Sequence, residues 1–155
     1  MQILENGPVT SPRGFTAAAV AAEIKYTGRT DLAIVYSKVP AQAAAVYTLN
    51  RFKAAPLRVT EENISNGMAQ AIVVNRGIAN AGMGAEGMRL AREMSDCAAE
   101  ALGIAKDDII VASTGVIGMP LPMDKVKAGI EKASNALYPD GGHDAARAIM
   151  TTDTV

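Results

Sequence analysis

The residues best placed to do chemistry are Ser113, Thr114 and Gly115, which follow the apolar run Ile109-Ile110-Val111-Ala112. A short apolar run broken by Ser-Thr-Gly predicts a buried strand that ends in a tight turn. Gly115 lets the backbone bend and leaves its own amide open to close approach. Hydroxyls and a free amide at a strand end suit a developing negative charge. The same pattern also ends many purely structural strands. Either hydroxyl becomes a nucleophile only with a base beside it, and the chain holds a single histidine, His143.

Three other stretches carry chemistry-bearing residues. Gly82-Met83-Gly84-Ala85-Glu86-Gly87 matches Gly-x-Gly-x-x-Gly between a predicted strand and a predicted helix, the context of a dinucleotide site. Against that reading, the strand is predicted to end near Asn75, too early for the tight turn, and Asp107 and Asp108 precede the next strand instead of closing it. Asn75 to Gly82 forms a polar, glycine-containing loop, either functional or a structural crossover, in which Arg76 is an anion contact or a surface charge. Thr151-Thr152-Asp153-Thr154 gathers hydroxyls and a carboxylate where a helix should terminate, and such residues also serve simply as helix stops.

Composition bounds the rest. The 155 residues are the length of a single domain, and 49% hydrophobic with 20% charged residues argues for a packed core. A net charge of −1 argues against a nucleic-acid or membrane surface, and 4% aromatics leaves no base-stacking platform. No apolar run approaches the ~20 residues that span a bilayer, and Met1 to Glu5, with neither a basic region nor an apolar stretch, is not expected to be a signal peptide. The lone cysteine, Cys97, excludes an internal disulfide and makes a reducing cytoplasm the expected location. One histidine argues against a His-based zinc site or a Ser-His-Asp triad, and His143, after Gly-Gly, reads as a solvated residue.

The elements that must position these residues follow from periodicity. Strands are expected within Gly14 to Ile24, at Leu32 to Tyr36, at Ala44 to Leu49 after a break at Pro40, at the edge over Pro56 to Val59, at Gln70 to Asn75 and at 109–112. Thr60 reads as an N-cap with Glu61 and Glu62 in the first turn behind it. Helices are expected over Glu86 to Leu102 with Gly103 as C-cap, from Asp124 with Val126, Ile130, Ala133 and Leu137 on one face, and from Asp144 with Ala145, Ala146, Ile149 and Met150 inward. Cys97 lies on the apolar stripe of the first of these. The fold class is α/β, a mixed β-sheet covered by helices, in one domain over residues 1–155.

Several segments in order resemble the N-terminal part of the ornithine acetyltransferase family, the glutamate N-acetyltransferases of cyclic arginine biosynthesis. They include Pro12-Arg13-Gly14-Phe15, Asn50-Arg51-Phe52-Lys53-Ala54-Ala55-Pro56, Ala71-Ile72-Val73-Val74-Asn75, Ala112-Ser113-Thr114-Gly115-Val116-Ile117-Gly118, Leu121-Pro122-Met123-Asp124-Lys125 and Ala146-Arg147-Ala148-Ile149-Met150-Thr151-Thr152-Asp153-Thr154. The resemblance implies a precursor that cuts itself before a threonine into α and β chains, assembled as an (αβ)2 heterotetramer. The new N-terminal threonine of the β chain takes acetyl from N-acetylornithine and passes it to glutamate. Thr114 and Gly115 are then the oxyanion hole, and Thr151, with Thr152 beside it, falls at a substrate-binding threonine. No resident cofactor is implied, though acetyl-CoA is a possible co-substrate in bifunctional members.

The resemblance also implies more α chain, with a substrate-binding lysine and the cleavage site, and a β chain. None of these lies in the 155 residues, so the chain alone is expected to be inactive. The family's loop usually reads Asn-Ser-Gly-Asn-Ala-Asn-Ala-Cys-Thr-Gly, and here Arg76, Ile78 and Met83 replace small or polar positions while Gly82 stands where the family has cysteine. The alternative reading is a truncated or diverged, non-catalytic relative that only folds or associates. A third, a nucleotide-binding module, rests on the glycine motif.

Overall fold

The computed structural model describes residues 4–152. Four strands, β1 (Phe15–Val20), β2 (Leu32–Gln42), β3 (Met68–Ile78) and β4 (Ile109–Val116), form one sheet in the order β1-β2-β3-β4. The β1–β2 and β2–β3 pairs are antiparallel and the β3–β4 pair is parallel. A parallel pair needs a crossover, and α2 (Gly84–Leu102) supplies it. With α1 (Ala55–Asn63), α3 (Met123–Asn135) and α4 (Gly142–Ile149), this is the expected mixed sheet covered by helices.

Side chains alternate across the sheet. Leu32, Ile34, Val73, Ile109 and Val111 join Val59 of α1, Leu90 and Met94 of α2, and Val126 and Ile130 of α3 in the main core. On the opposite face Ala17 and Ala33 meet Ala145 and Ala148 of α4. The periodicity of α2 and α3 is as expected, and Gly103 ends α2 in the left-handed conformation. In α4 the inward residues are Ala145 and Ala148, whereas Ala146 and Ile149 are exposed. The helix therefore presents a narrower, all-alanine face to the sheet than the pattern predicted.

Four expectations need correction. Pro40 does not end its strand: β2 runs to Gln42, because the register with β3 shifts between Tyr36 and Ala41 and a proline is tolerated at such an irregularity. Ala44 to Leu49 forms no strand, and Val46 and Leu49 stand almost wholly exposed. Pro56 to Val59 is helix, with proline in its first turn, where the missing N–H costs nothing. Thr60 is not a cap: it is buried in α1, Glu61 and Glu62 lie toward the end of that helix, and its hydroxyl serves β4. Thr60 Oγ1 donates to the Val111 carbonyl at 2.9 Å and accepts from the Val111 N–H at 3.0 Å. One side chain thus satisfies the backbone of the edge strand where a fifth strand would otherwise pair.

Candidate active site at the end of strand β4

The strand does not stop at Ser113. It continues through Thr114 and Gly115 to Val116, paired residue by residue with Asn75, Arg76, Gly77 and Ile78. The bend comes at Ile117 and Gly118, where the Gly118 N–H donates to the Ala81 carbonyl at 2.9 Å. The expected turn is therefore displaced by a few residues, because β3 is longer than its apolar run. Arg76 to Ile78, read as loop, are strand, and Ile78 is buried in the core.

Two devices hold this strand end. Asn75 is fully buried: its Oδ1 accepts from the Ser113 hydroxyl at 2.6 Å, and its Nδ2 donates to the Ile78 carbonyl at 2.9 Å. Both ends of the amide are thus satisfied, tying β4 to the far end of β3. Gly115, with φ of 131°, is pressed against Gly77, and a Cβ there would run into the Gly77 carbonyl and come within 2.7 Å of the Ile78 nitrogen. Thr114 is half-buried and Gly115 exposed, so the peptide between them lies at the surface on a rigid support. Rigid donors at an accessible strand end are what stabilisation of a developing oxyanion requires. The clamping role of Asn75 was missed in the sequence, where it reads as the junction of a predicted strand and the loop after it; its signal was a polar residue ending an apolar strand.

The other predicted residues sit elsewhere. Thr151 and Thr152 are exposed in the bend after α4, the helix on the opposite face of the sheet from α1, α2 and α3. Asp153 and Thr154 lie outside the described residues. His143 is exposed on α4. Cys97 is half-buried against the core, and burial, the largest influence, pushes its thiol pKa up, which disfavours the reactive thiolate. Among the described residues no group of three or more His, Cys, Asp or Glu could hold a metal, and no helix is long and apolar enough to cross a membrane.

Beside the strand end, a cleft of about 290 Å³ lies between residues 51–58 and the start of α2. Gly82 joins the two regions, since a Cβ on it would sit 3.3 Å from Ile117 and 3.6 Å from Phe52. Phe52, Val116 and Ile117 are exposed around it.

The family model described as the ArgJ family matches residues 16–155. The "Arginine biosynthesis bifunctional protein ArgJ" of Symbiobacterium thermophilum is 56% identical over 150 residues, which are 96% of this chain and 37% of the relative. That of Caldanaerobacter subterraneus is 51% identical over 99% of this chain and 38% of the relative. The chain thus spans under two-fifths of the length of these curated relatives. A crystal structure of the arginine biosynthesis bifunctional protein of Bacillus halodurans shares the fold with a TM-score of 0.90 at 45% identity, over 98% of this chain and 80% of that one. Ornithine acetyltransferase from Mycobacterium tuberculosis, solved with ornithine, gives a TM-score of 0.93 at 41% identity, over 98% of this chain and 83% of that one. With the family model matched from residue 16 to residue 155 and the fold shared with these solved structures, the chain belongs to the ArgJ family.

Proposed function

We propose that these residues are the α-chain part of an arginine-biosynthesis acetyltransferase that moves acetyl from N2-acetylornithine to glutamate. The nucleophile is the N-terminal threonine of a β chain from the same precursor, and its terminal amine acts as the base. Its hydroxyl oxygen attacks the acetyl carbonyl, and Thr114 and Gly115 stabilise the oxyanion that forms. The carbon–nitrogen bond breaks, ornithine leaves with the proton, and acetyl remains as a threonine ester. The glutamate amine then attacks the ester and returns the hydroxyl. Thr151, with Thr152 adjacent, contacts substrate. No resident cofactor takes part, and acetyl-CoA is an alternative acyl donor in the bifunctional version of the chemistry. The assembly is an (αβ)2 heterotetramer in the cytoplasm.

The observation that carries this reading is the fit of Gly115 against Gly77, which holds the Thr114–Gly115 peptide at the exposed end of β4. Exposed Phe52, Val116 and Ile117 beside it are the kind of apolar surface a second chain covers. Those same exposed residues, with Val46 and Leu49, favour the second reading, a folding and association domain without chemistry of its own.

Intact mass spectrometry of the natively purified protein, under native and denaturing conditions, separates the two. A co-purifying polypeptide that begins with threonine, together with acetyl transfer from N-acetylornithine to glutamate, supports the enzyme. Removing an oxyanion donor typically costs about 10²–10³ in rate. A 155-residue chain alone, with no transfer even when a family β chain is supplied, leaves the association domain.

A further inference from the structure

The cleft at the start of α2 carries cationic side chains that the acetyl transfer, as written above, does not use. Arg51, Lys53 and Arg58 line it, and no acidic residue does. Lys53 is engaged, 3.6 Å from Glu61. Arg51 and Arg58 have no ion-pair or side-chain hydrogen-bond partner among the described residues.

The opposite wall is Met83 and the first turn of α2, Gly84, Ala85 and Gly87. No side chain caps this helix. Its leading amides have no intrahelical acceptor, and they carry the positive end of a 19-residue helix dipole. Glu86, the acid of the first turn, points away and pairs with Arg89 at 2.7 Å. A phosphate or carboxylate suits such a helix start.

An independent observation narrows the ligand. Asn80, also in the wall, is fully buried, and its Nδ2 donates to the Gly87 carbonyl at 3.0 Å. Its Oδ1 has no partner. A Cβ at residue 87 would stand 3.1 Å from that oxygen, so glycine there keeps a side chain from crowding it. A buried acceptor left unpaired costs about 1–3 kcal/mol. It needs a donor, and neither arginine nor the helix amides fill that need. A fully ionised anion cannot fill it either, because it has only acceptors.

We propose that this cleft binds a phosphate-bearing small molecule that also offers a hydrogen-bond donor, in a function separate from the acetyl transfer described above. The anionic oxygens lie between Arg51, Arg58 and the first amides of α2. The donor, either a protonated phosphate oxygen or an N–H or O–H of the ligand, meets Asn80 Oδ1. The Gly-x-Gly-x-x-Gly pattern then acquires a physical role. Gly82 and Gly87 clear the walls of the cleft, although the strand-to-helix turn of a dinucleotide fold is absent: β3 ends at Ile78 and α2 begins at Gly84.

The test uses the natively purified protein, with any chain that co-purifies with it. Inorganic phosphate, sulfate and ADP are titrated separately at low ionic strength, with amide NMR and calorimetry as readouts. Saturable shifts of the Gly84, Ala85 and Glu86 amides are expected. Hydrogenphosphate, which can donate to Asn80, should bind about tenfold more tightly than sulfate, which cannot. R51Q and R58Q, both on exposed residues, should each weaken phosphate about tenfold without altering the circular dichroism spectrum. ADP binding tighter than phosphate assigns a nucleotide, and ADP binding no tighter assigns a small phosphate ester. Equal affinity for sulfate and phosphate, affinity unchanged in R51Q and R58Q, or no saturable shift of the α2 amides would each overturn the proposal.

Discussion

Gly115 packs directly on Gly77 across the parallel β3–β4 pair, and neither residue has a side chain to hold the backbones apart. This contact sets the position of the Thr114–Gly115 peptide. Gly115→Ala must place a methyl group where the Gly77 carbonyl stands and must also hold φ at 131°. The expected loss is about 3 kcal/mol, read as a lower urea midpoint. Gly118→Ala is the control: its φ is 78° but nothing lies within 4 Å of the added carbon, so only the conformational cost, about 1 kcal/mol, should be measured.

The Asn75–Ser113 hydrogen bond should show as a coupling. Ser113→Ala leaves the buried Asn75 oxygen without its donor and should cost about 1–2 kcal/mol. Asn75→Leu should cost more, because the Ile78 carbonyl also loses its partner. The double variant should be less damaging than the sum by about 1 kcal/mol. Additive losses would show that the pair contributes nothing as a pair.

Thr60→Val keeps the shape of the side chain and removes the hydroxyl that serves both backbone groups of Val111. Two buried polar groups then lose their partner, for roughly 2 kcal/mol or more. Hydrogen exchange is the sharper measurement. Protection of the Val111 amide should fall further than that of Val73, which lies within the sheet.

Helices α2 and α3 are joined by the Lys127 Nζ to Glu93 Oε1 contact at 2.6 Å. The hydrogen bond to Lys127 is the largest influence holding the Glu93 carboxyl below its ordinary 4.5, and the same bond raises Lys127. A carboxyl with a lowered folded pKa contributes stability that is complete above the unfolded value and is lost as pH falls through the folded one. A raised lysine contributes below its unfolded value and loses that contribution as pH climbs through the folded one. Lys127→Met should therefore destabilise at neutral pH, and the difference from the wild type should shrink as acid protonates Glu93. Urea titrations from about pH 3 to about pH 7 test it; a difference independent of pH would assign the effect to packing instead.

The elements legible in the sequence are those whose signal is local. Continuous apolar runs marked β3 and β4, helical spacing marked α2 and α3, and Gly103 marked the end of α2. The Ser113-Thr114-Gly115 position was legible too, as the change from apolar to small polar residues. The errors share one cause. Ala44 to Leu49 has the residue types of a strand, but β propensity describes a fit to a pleated neighbour, and among the described residues the segment joins no sheet. Thr60 looks like a cap because caps and buried hydroxyls use the same residue, and its true partner, Val111, is 51 positions away.

By itself the sequence determined that a mixed sheet forms under helices, and that β4 carries Ser113, Thr114 and Gly115 at its end, because burial and chain stiffness act over neighbouring residues. Tertiary structure alone decided how far β4 runs, what clamps it, and that Arg51 and Arg58 face the start of α2. Those outcomes depend on contacts between distant segments, such as hydrogen bonds between residues 38 and 51 positions apart. A local pattern states what must be buried or satisfied, and only the folded chain supplies the partner.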